Sequence, residues 1–268
     1  MATVPREPAM KPRGASGNPY TRAFYESYEQ QARRSARVIA NLITPLVKPT
    51  SVLDVGCGQG LWLTAFQELG AMKILGVDGA YVTPDILRIP ADRFRSADLR
   101  LPLELDQSFD LAISIEVAEH LPQSRAATFV RELTSRAPCV LFAAAIPFQG
   151  GNDHVNEQWQ DYWADLFCAE GFHAIDCVRP FVWTDSRVLW FHAQNVLLYV
   201  RDDRLEADAG LKAAYARTKE WPLRIVHPWK YLSAADITGI PLRRVLGWMP
   251  TLIRSGWRRT LERSSRSS

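Results

Sequence analysis

The chain predicts an α/β fold in which one mostly parallel, doubly wound sheet is covered by helices on both faces. Two observations predict it. Short apolar runs alternate with helical stretches from Ser51 to about Arg201, and that alternation demands a mostly parallel sheet flanked by helices. The first run also passes directly into a glycine-rich turn, Gly56-Cys57-Gly58-Gln59-Gly60, that opens a helix. Sheets of this kind bind ligands at the carboxyl ends of their strands.

Each element follows in order. Residues 1–19 hold Pro5, Pro8, Pro12, Gly14, Gly17 and Pro19 with little apolar content, and disorder is expected there. A helix is expected from Thr21 to Val47, with Thr21 as N-cap and Pro49 beyond its end. Its Phe24, Tyr25 and Tyr28 recur at helical spacing, which suits core packing or a lid over a substrate. Buried parallel strands are expected at Ser51–Val55, Lys73–Val77, Arg93–Ala97, Phe109–Ile115 and Pro138–Ala145. Helices fall between them at Gln59–Leu69 and Gln123–Arg136, followed by one at Trp159–Glu170. Phe172–Val178 and Ala193–Val200 are the last strands. A polar helix over Arg204–Lys219 then leads into a stretch broken by Pro222, Pro228, Pro241 and Pro250. The expected organisation is a tail over 1–19, an α/β domain over 20–201 and a basic helical extension over 202–268.

Composition excludes several classes. The chain has 268 residues, is 47% hydrophobic and carries a net charge of +3, too little to argue nucleic-acid binding. Cys57, Cys139, Cys168 and Cys177 show neither a C-x-x-C pair nor metal-type spacing, so they read as buried thiols in a reducing compartment. The N-terminus lacks an apolar signal core, and no run of about 18 apolar residues suggests a membrane span. A cytoplasmic location is expected. From Pro241 onward seven arginines face Glu262 alone, interleaved with Leu246, Trp248, Leu252, Ile253, Trp257 and Leu261. Such a segment suits either a solvated terminus or peripheral contact with the inner, anionic face of a membrane.

The chemistry concentrates at strand ends. Asp54 lies inside the first strand, just before the turn. The turn is not the dinucleotide fingerprint G-x-G-x-x-G, whose last glycine would stand at Leu61. The second strand ends Gly76-Val77-Asp78-Gly79, where a carboxylate can accept both hydroxyls of a ribose. The third ends Ala97-Asp98-Leu99, where a carboxylate or backbone group can read an adenine amino group. Each aspartate alone is equally a turn or cap residue, but acids at successive strand ends make that reading poor.

Together Val52–Gly60, Gly76–Gly79 and Ala97–Leu99 resemble the ordered motifs of class I S-adenosylmethionine-dependent methyltransferases, over roughly Arg37 to Arg201. The resemblance implies a seven-stranded sheet with an antiparallel last strand, here Ala193–Val200. It implies that Gly56, Cys57, Gly58 and Gly60 wrap S-adenosylmethionine, with Asp54 near the methionine part. Asp78 and Gly79 would meet the ribose, and Asp98 and Leu99 the adenine. Glu116, after the fourth strand, borders the same site. The segment Gly150–Trp159, with Tyr162-Trp163, resembles a bacterial branch often associated with glycan and surface-polymer biosynthesis.

The reacting end is expected after the fourth strand, at Glu116-Val117-Ala118-Glu119-His120. Methyl transfer to a hydroxyl needs alignment of two reactants and removal of a proton, for which His120 is the natural base. Equally, Glu119-His120 could simply start a helix. The segment is also similar to the E-x-x-E-H of ubiquinone-pathway and small-RNA 2′-O-methyltransferases, in which a downstream histidine completes a divalent-metal site. Here His154 would join Glu116, Glu119 and His120 around magnesium, manganese or iron(II). Catalysis is therefore expected from His120, His154 and Glu119, with or without a metal. Trp159, Tyr162, Trp163, Phe181, Trp183, Trp190 and Phe191 supply either substrate-facing rings or core.

The expected acceptor is a small molecule or glycan precursor, through a saccharide hydroxyl. A phenolic or other secondary metabolite is the alternative, and a degenerate cofactor-binding scaffold is the non-enzyme one. Nucleic acid is not expected as a partner.

Overall fold

A computed structural model of the chain describes residues 22–219 and 222–235. The expected tail over 1–19, the N-cap Thr21 and the arginine-rich segment from Pro241 lie outside the described residues, as do the side chains of Phe24, Tyr25 and Tyr28.

Helix α1 (Arg22–Val47) buries Ala36, Ile39, Ala40, Ile43 and Val47, the three-and-four spacing of one helical face. It leads to β1 (Ser51–Val55), the glycine turn and α2 (Leu61–Glu68). Next come β2 (Lys73–Asp78), β3 (Phe94–Ser96), β4 (Leu111–Ile115), α3 (Ala126–Thr134) and β5 (Cys139–Ala143). The chain continues through α4 (Gln160–Ala169), β6 (Phe172–Ile175), α5 (Arg179–Val182), α6 (Trp190–Asn195) and β7 (Leu197–Arg201). The strands form one sheet in the order β3-β2-β1-β4-β5-β7-β6. All neighbours pair in parallel except β7, which is antiparallel to both β5 and β6.

Strand alternation divides the core in two. Val52, Leu111 and Ile113 face a cluster built with α1 and α2. Leu53, Val55 and Ala112 face the other, built with Phe129 and Val130 of α3 and Trp163 and Phe167 of α4. Phe142 packs against the rings of Trp163, Phe167 and Tyr199. Each large side chain so buried contributes roughly 1.5–3 kcal/mol. The central strands β1, β4 and β5 are therefore buried on both faces, as their near-continuous apolar runs require. Cys57, Cys139 and Cys177 are buried as expected, whereas Cys168 of α4 is exposed.

Three segments depart from the sequence reading. The last strand begins at Leu197, because Ala193, Gln194 and Asn195 belong to α6. Gln194 and Asn195 are buried and hydrogen-bond to Gln149, which holds them off the ladder. The expected strand over Phe172–Val178 stops at Ile175, and Asp176 instead pairs with buried Arg179 at 2.8 Å. The polar helix is two helices, α7 (Asp202–Ala207) and α8 (Ala209–Thr218). Asp208 divides them because its carboxylate caps α8, accepting from the Gly210 and Leu211 amides.

The compact unit does not stop at Arg201 but runs to His227. Leu211 and Ala214 of α8 enter the core beside α1. The segment after α8 is pinned by three backbone contacts. Gln160 donates to the Ile225 carbonyl and Arg179 to that of Leu223, while the His227 amide donates to Gln194 Oε1. A second unit starts at Pro228, and its described part is helix α9 (Pro228–Ala235). No helix among the described residues is long and apolar enough to cross a membrane.

Candidate active site

A cleft of about 590 Å³ opens at the carboxyl ends of β1, β2, β3 and β4, within the size range of small-molecule sites. It lies where the strand order reverses between β1 and β4.

The glycine turn forms one wall. Gly56 stands at φ +87°, and a Cβ there would come within 2.2 Å of Val117 Cγ2, so only glycine suits both the backbone and the packing. Gly56 and Gly58 line the cleft, with Asp78, Gly79, Asp98, Leu99 and Glu116. The remaining cofactor candidates are placed differently. Gly60 packs on Ile89 at the start of α2. Cys57 turns its thiol into the core. Asp54 is buried at the end of β1, its Oδ2 without a hydrogen-bond partner among the described residues. Burial, and then the charge of Asp78, holds the Asp54 carboxyl well above the usual carboxylate range.

Asp78 is 4% exposed and tightly held. The Gly58 amide donates to Oδ2 at 2.6 Å and the Gly79 amide to Oδ1 at 2.7 Å. The Tyr81 hydroxyl also donates to Oδ1. Burial raises this carboxyl despite those donors. Asp98 is engaged by the Arg100 guanidinium at 2.7 Å, which brings its carboxyl down to about 2.

At the far end the loop after β4 meets the loop after β5. His120 lines the cleft, as does Asp153. His154 packs edge to face on His120, ring centroids 4.9 Å apart. One ligand atom each of Glu119, His120 and His154 lies within 4.8 Å of the others. Both Glu119 oxygens are buried, with no partner at good hydrogen-bond geometry among the described residues. Burial first and Glu116 second push the Glu119 carboxyl well up. The His120 imidazole is drawn down to about 4 by burial and by His154.

Glu116 does not join this ligand group, a correction to the expected four-residue metal set. Its oxygens accept from Gln149 at 2.8 Å and from Asn195 at 3.0 Å, and its backbone is left-handed at φ +56°. The amides of two distant segments thus hold it. His154, by contrast, is oriented by Glu157, whose Oε1 lies 2.9 Å from Nδ1 and also accepts the Gly150 amide. Its Oε2 accepts the Phe148 amide. A carboxylate at Nδ1 favours the Nδ1–H tautomer and leaves Nε2 as the acceptor atom.

Sequence reasoning passed over Tyr81, Arg100, Gln149, Asn195 and Glu157. Tyr81 and Glu157 each stand three residues from a recognised site residue. Gln149 and Asn195 carry no such local signal. Of the aromatic group, Trp163 is core while Phe181 is exposed.

A family model described as a methyltransferase domain matches residues 27–176. The ribosomal protein L11 methyltransferase of Shewanella sp. (strain W3-18-1) is 42% identical over 71 residues, 26% of this chain and 24% of that protein. The ubiquinone biosynthesis O-methyltransferase of Bartonella quintana (strain Toulouse) is 30% identical over 76 residues, 26% of this chain and 30% of that protein. The chain thus spans about a quarter of the length of these curated relatives. Among solved structures, the sugar N-methyltransferase KedS8 from Streptoalloteichus sp. ATCC 53650 superposes with TM-score 0.53 at 14% identity, covering 75% of this chain and 99% of that one. The S-adenosylmethionine-bound amino pentose methyltransferase CalS10 from Micromonospora echinaspora gives 0.50 at 16% identity, covering 69% and 99%. At these identities the likeness shows the fold.

Proposed function

Given that the chain belongs to the methyltransferase-domain family, we propose that it transfers a methyl group from S-adenosylmethionine to a hydroxyl of a saccharide or glycan precursor. The observation that carries this reading is the meeting of His120 and His154 beside a cleft walled by Gly56, Gly58, Asp78 and Asp98.

The residues fit the cofactor. Asp78 would take the ribose hydroxyls and Asp98 the adenine edge. The buried Oδ2 of Asp54 suits a cationic group, which would lower its raised carboxyl. S-adenosylmethionine supplies an electrophilic methyl on a sulfonium, a group that a hydroxyl attacks in line. The protein's part is to align that hydroxyl and accept its proton. His120, held neutral by burial, faces the cleft as acceptor. His154, oriented by Glu157 through Nδ1, sits against it.

A second version of the chemistry is favoured by the buried Glu119 carboxyl, which lies within ligand distance of both histidines. Glu119, His120 and His154 would hold a divalent ion such as magnesium, manganese or iron(II), which would lower the pKa of a bound hydroxyl. The sugar methyltransferases that share the fold provide a setting for the saccharide reading. Incubating the protein with methyl-labelled S-adenosylmethionine and parallel panels of nucleotide sugars and phenols tests it. Label transfer to sugars is expected. Transfer only to phenols would move the acceptor to secondary metabolites, and cofactor binding with no transfer to either would favour a scaffold.

A further inference from the structure

The carboxylate placed to read a ribose already holds a hydroxyl of the protein's own. A carboxylate offers about four acceptor positions. On Asp78 three are taken, by the amides of Gly58 and Gly79 and by the Tyr81 phenol. A ribose diol brings two O–H donors to a carboxylate with one position left. The two amides belong to the backbone: Gly58 sits in the turn after β1, and Gly79 directly follows Asp78. Tyr81 is the donor that can leave by a side-chain rotation.

We propose that Tyr81 is a displaceable plug at the ribose end of the cleft, its phenol standing in for one ribose hydroxyl until the cofactor arrives. This inference rests on the assignment of Asp78 to the ribose. The local construction fits it. Tyr81 lines the cleft and is 45% exposed, so an incoming ligand can reach its ring. Its ring folds back over Gly79, where a Cβ would fall 2.4 Å from Tyr81 Cε1. Asp78, in contrast, is buried, and a buried carboxylate short of donors is costly. The phenol satisfies the carboxylate and yields to a ligand that brings two hydroxyls. Ligands without the diol gain nothing from Asp78 and leave the plug in place, so the device selects for an intact ribose.

Calorimetry with S-adenosylhomocysteine tests this on the full chain. Tyr81→Phe removes the competing hydroxyl and keeps the ring, so affinity should rise by about 10- to 150-fold, the worth of one hydrogen bond to a charged group. An analogue lacking both ribose hydroxyls should bind wild type and Tyr81→Phe equally. Unchanged or weaker S-adenosylhomocysteine binding by Tyr81→Phe, with an unaltered melting temperature, would overturn the plug. So would an equal gain for the dideoxy analogue, which would indicate general loosening. Asp78→Asn separates this from the underlying assignment. If that variant binds S-adenosylhomocysteine as tightly as wild type, the ribose reading itself fails, and the plug with it.

Discussion

His120 and His154 sit edge to face, ring centroids 4.9 Å apart and planes at 85°. One follows β4 and the other lies in the loop after β5, and these strands are parallel neighbours. Their carboxyl ends therefore open on one side of the sheet, and the two loops meet there. Val155 and Asn156 complete the junction by donating backbone hydrogen bonds to the Glu119 carbonyl.

Substituting either histidine is expected to remove catalysis and spare cofactor binding. His120→Ala should lower kcat by about 10²–10⁴-fold, the usual worth of a positioned base, with S-adenosylhomocysteine affinity nearly constant. Parallel loss of that affinity would place the histidine in the cofactor site instead.

Gly151→Ala tests the geometry without replacing a catalytic residue. A Cβ there would lie 2.2 Å from His154 Nε2, so the imidazole must move. A shift of about 1 Å in a catalytic group can cost about 10²-fold, and kcat should fall on that scale. Calorimetry should find cofactor affinity unchanged. Full activity would show that the position of His154 is immaterial.

Cofactor choice is expected to follow from the glycine turn Gly56–Gly60 together with the acids Asp54, Asp78 and Asp98 at the strand ends. Calorimetry should detect S-adenosylmethionine or S-adenosylhomocysteine and no NAD. Asp78→Ala should cost about 1.5–3 kcal/mol of that binding, the range for a hydrogen bond to a charged group. Preferential binding of NAD is the outcome that would falsify the assignment.

The metal question has a direct measurement. If Glu119, His120 and His154 hold an ion, a chelator should abolish turnover and magnesium or manganese should restore it. Glu119→Gln should then raise the metal concentration needed for half-maximal rate. If a neutral His120 acts alone, chelation should change nothing.

His192 makes a stability prediction. It is buried with Ser35 Oγ 2.7 Å from Nδ1, and burial draws it down to about 3. The unfolded histidine titrates near 6.5. Between those values the unfolded chain binds a proton that the folded chain refuses, so this residue's contribution falls as pH drops from about 6.5 towards 3. The slope is about 1.4 kcal/mol per pH unit. Urea unfolding at several pH values should show a correspondingly shallower acid loss for His192→Gln. Identical slopes in the two proteins would contradict it.

What the sequence determined by itself was local. Apolar runs specified strands, since a residue buried on both faces of a sheet leaves the same trace wherever its neighbours lie. Ser51–Val55 matches its expected bounds, and the glycine turn with Asp78 and Asp98 marked one ligand-binding edge before any pairing was known. Tertiary structure decided whatever depended on partners far along the chain. Asn195 and Gln149 reach Glu116 across long sequence separations, and no spacing rule announces such a contact. They tie Glu116 off from the ligand group that its E-x-x-E-H spacing suggested. The same polar side chains drew Ala193–Asn195 out of the expected strand, because a buried amide must find its hydrogen bonds and these lay off the ladder. Tyr81 on Asp78 is a choice of the same kind: three residues separate them, but only the folded turn puts the phenol on the carboxylate.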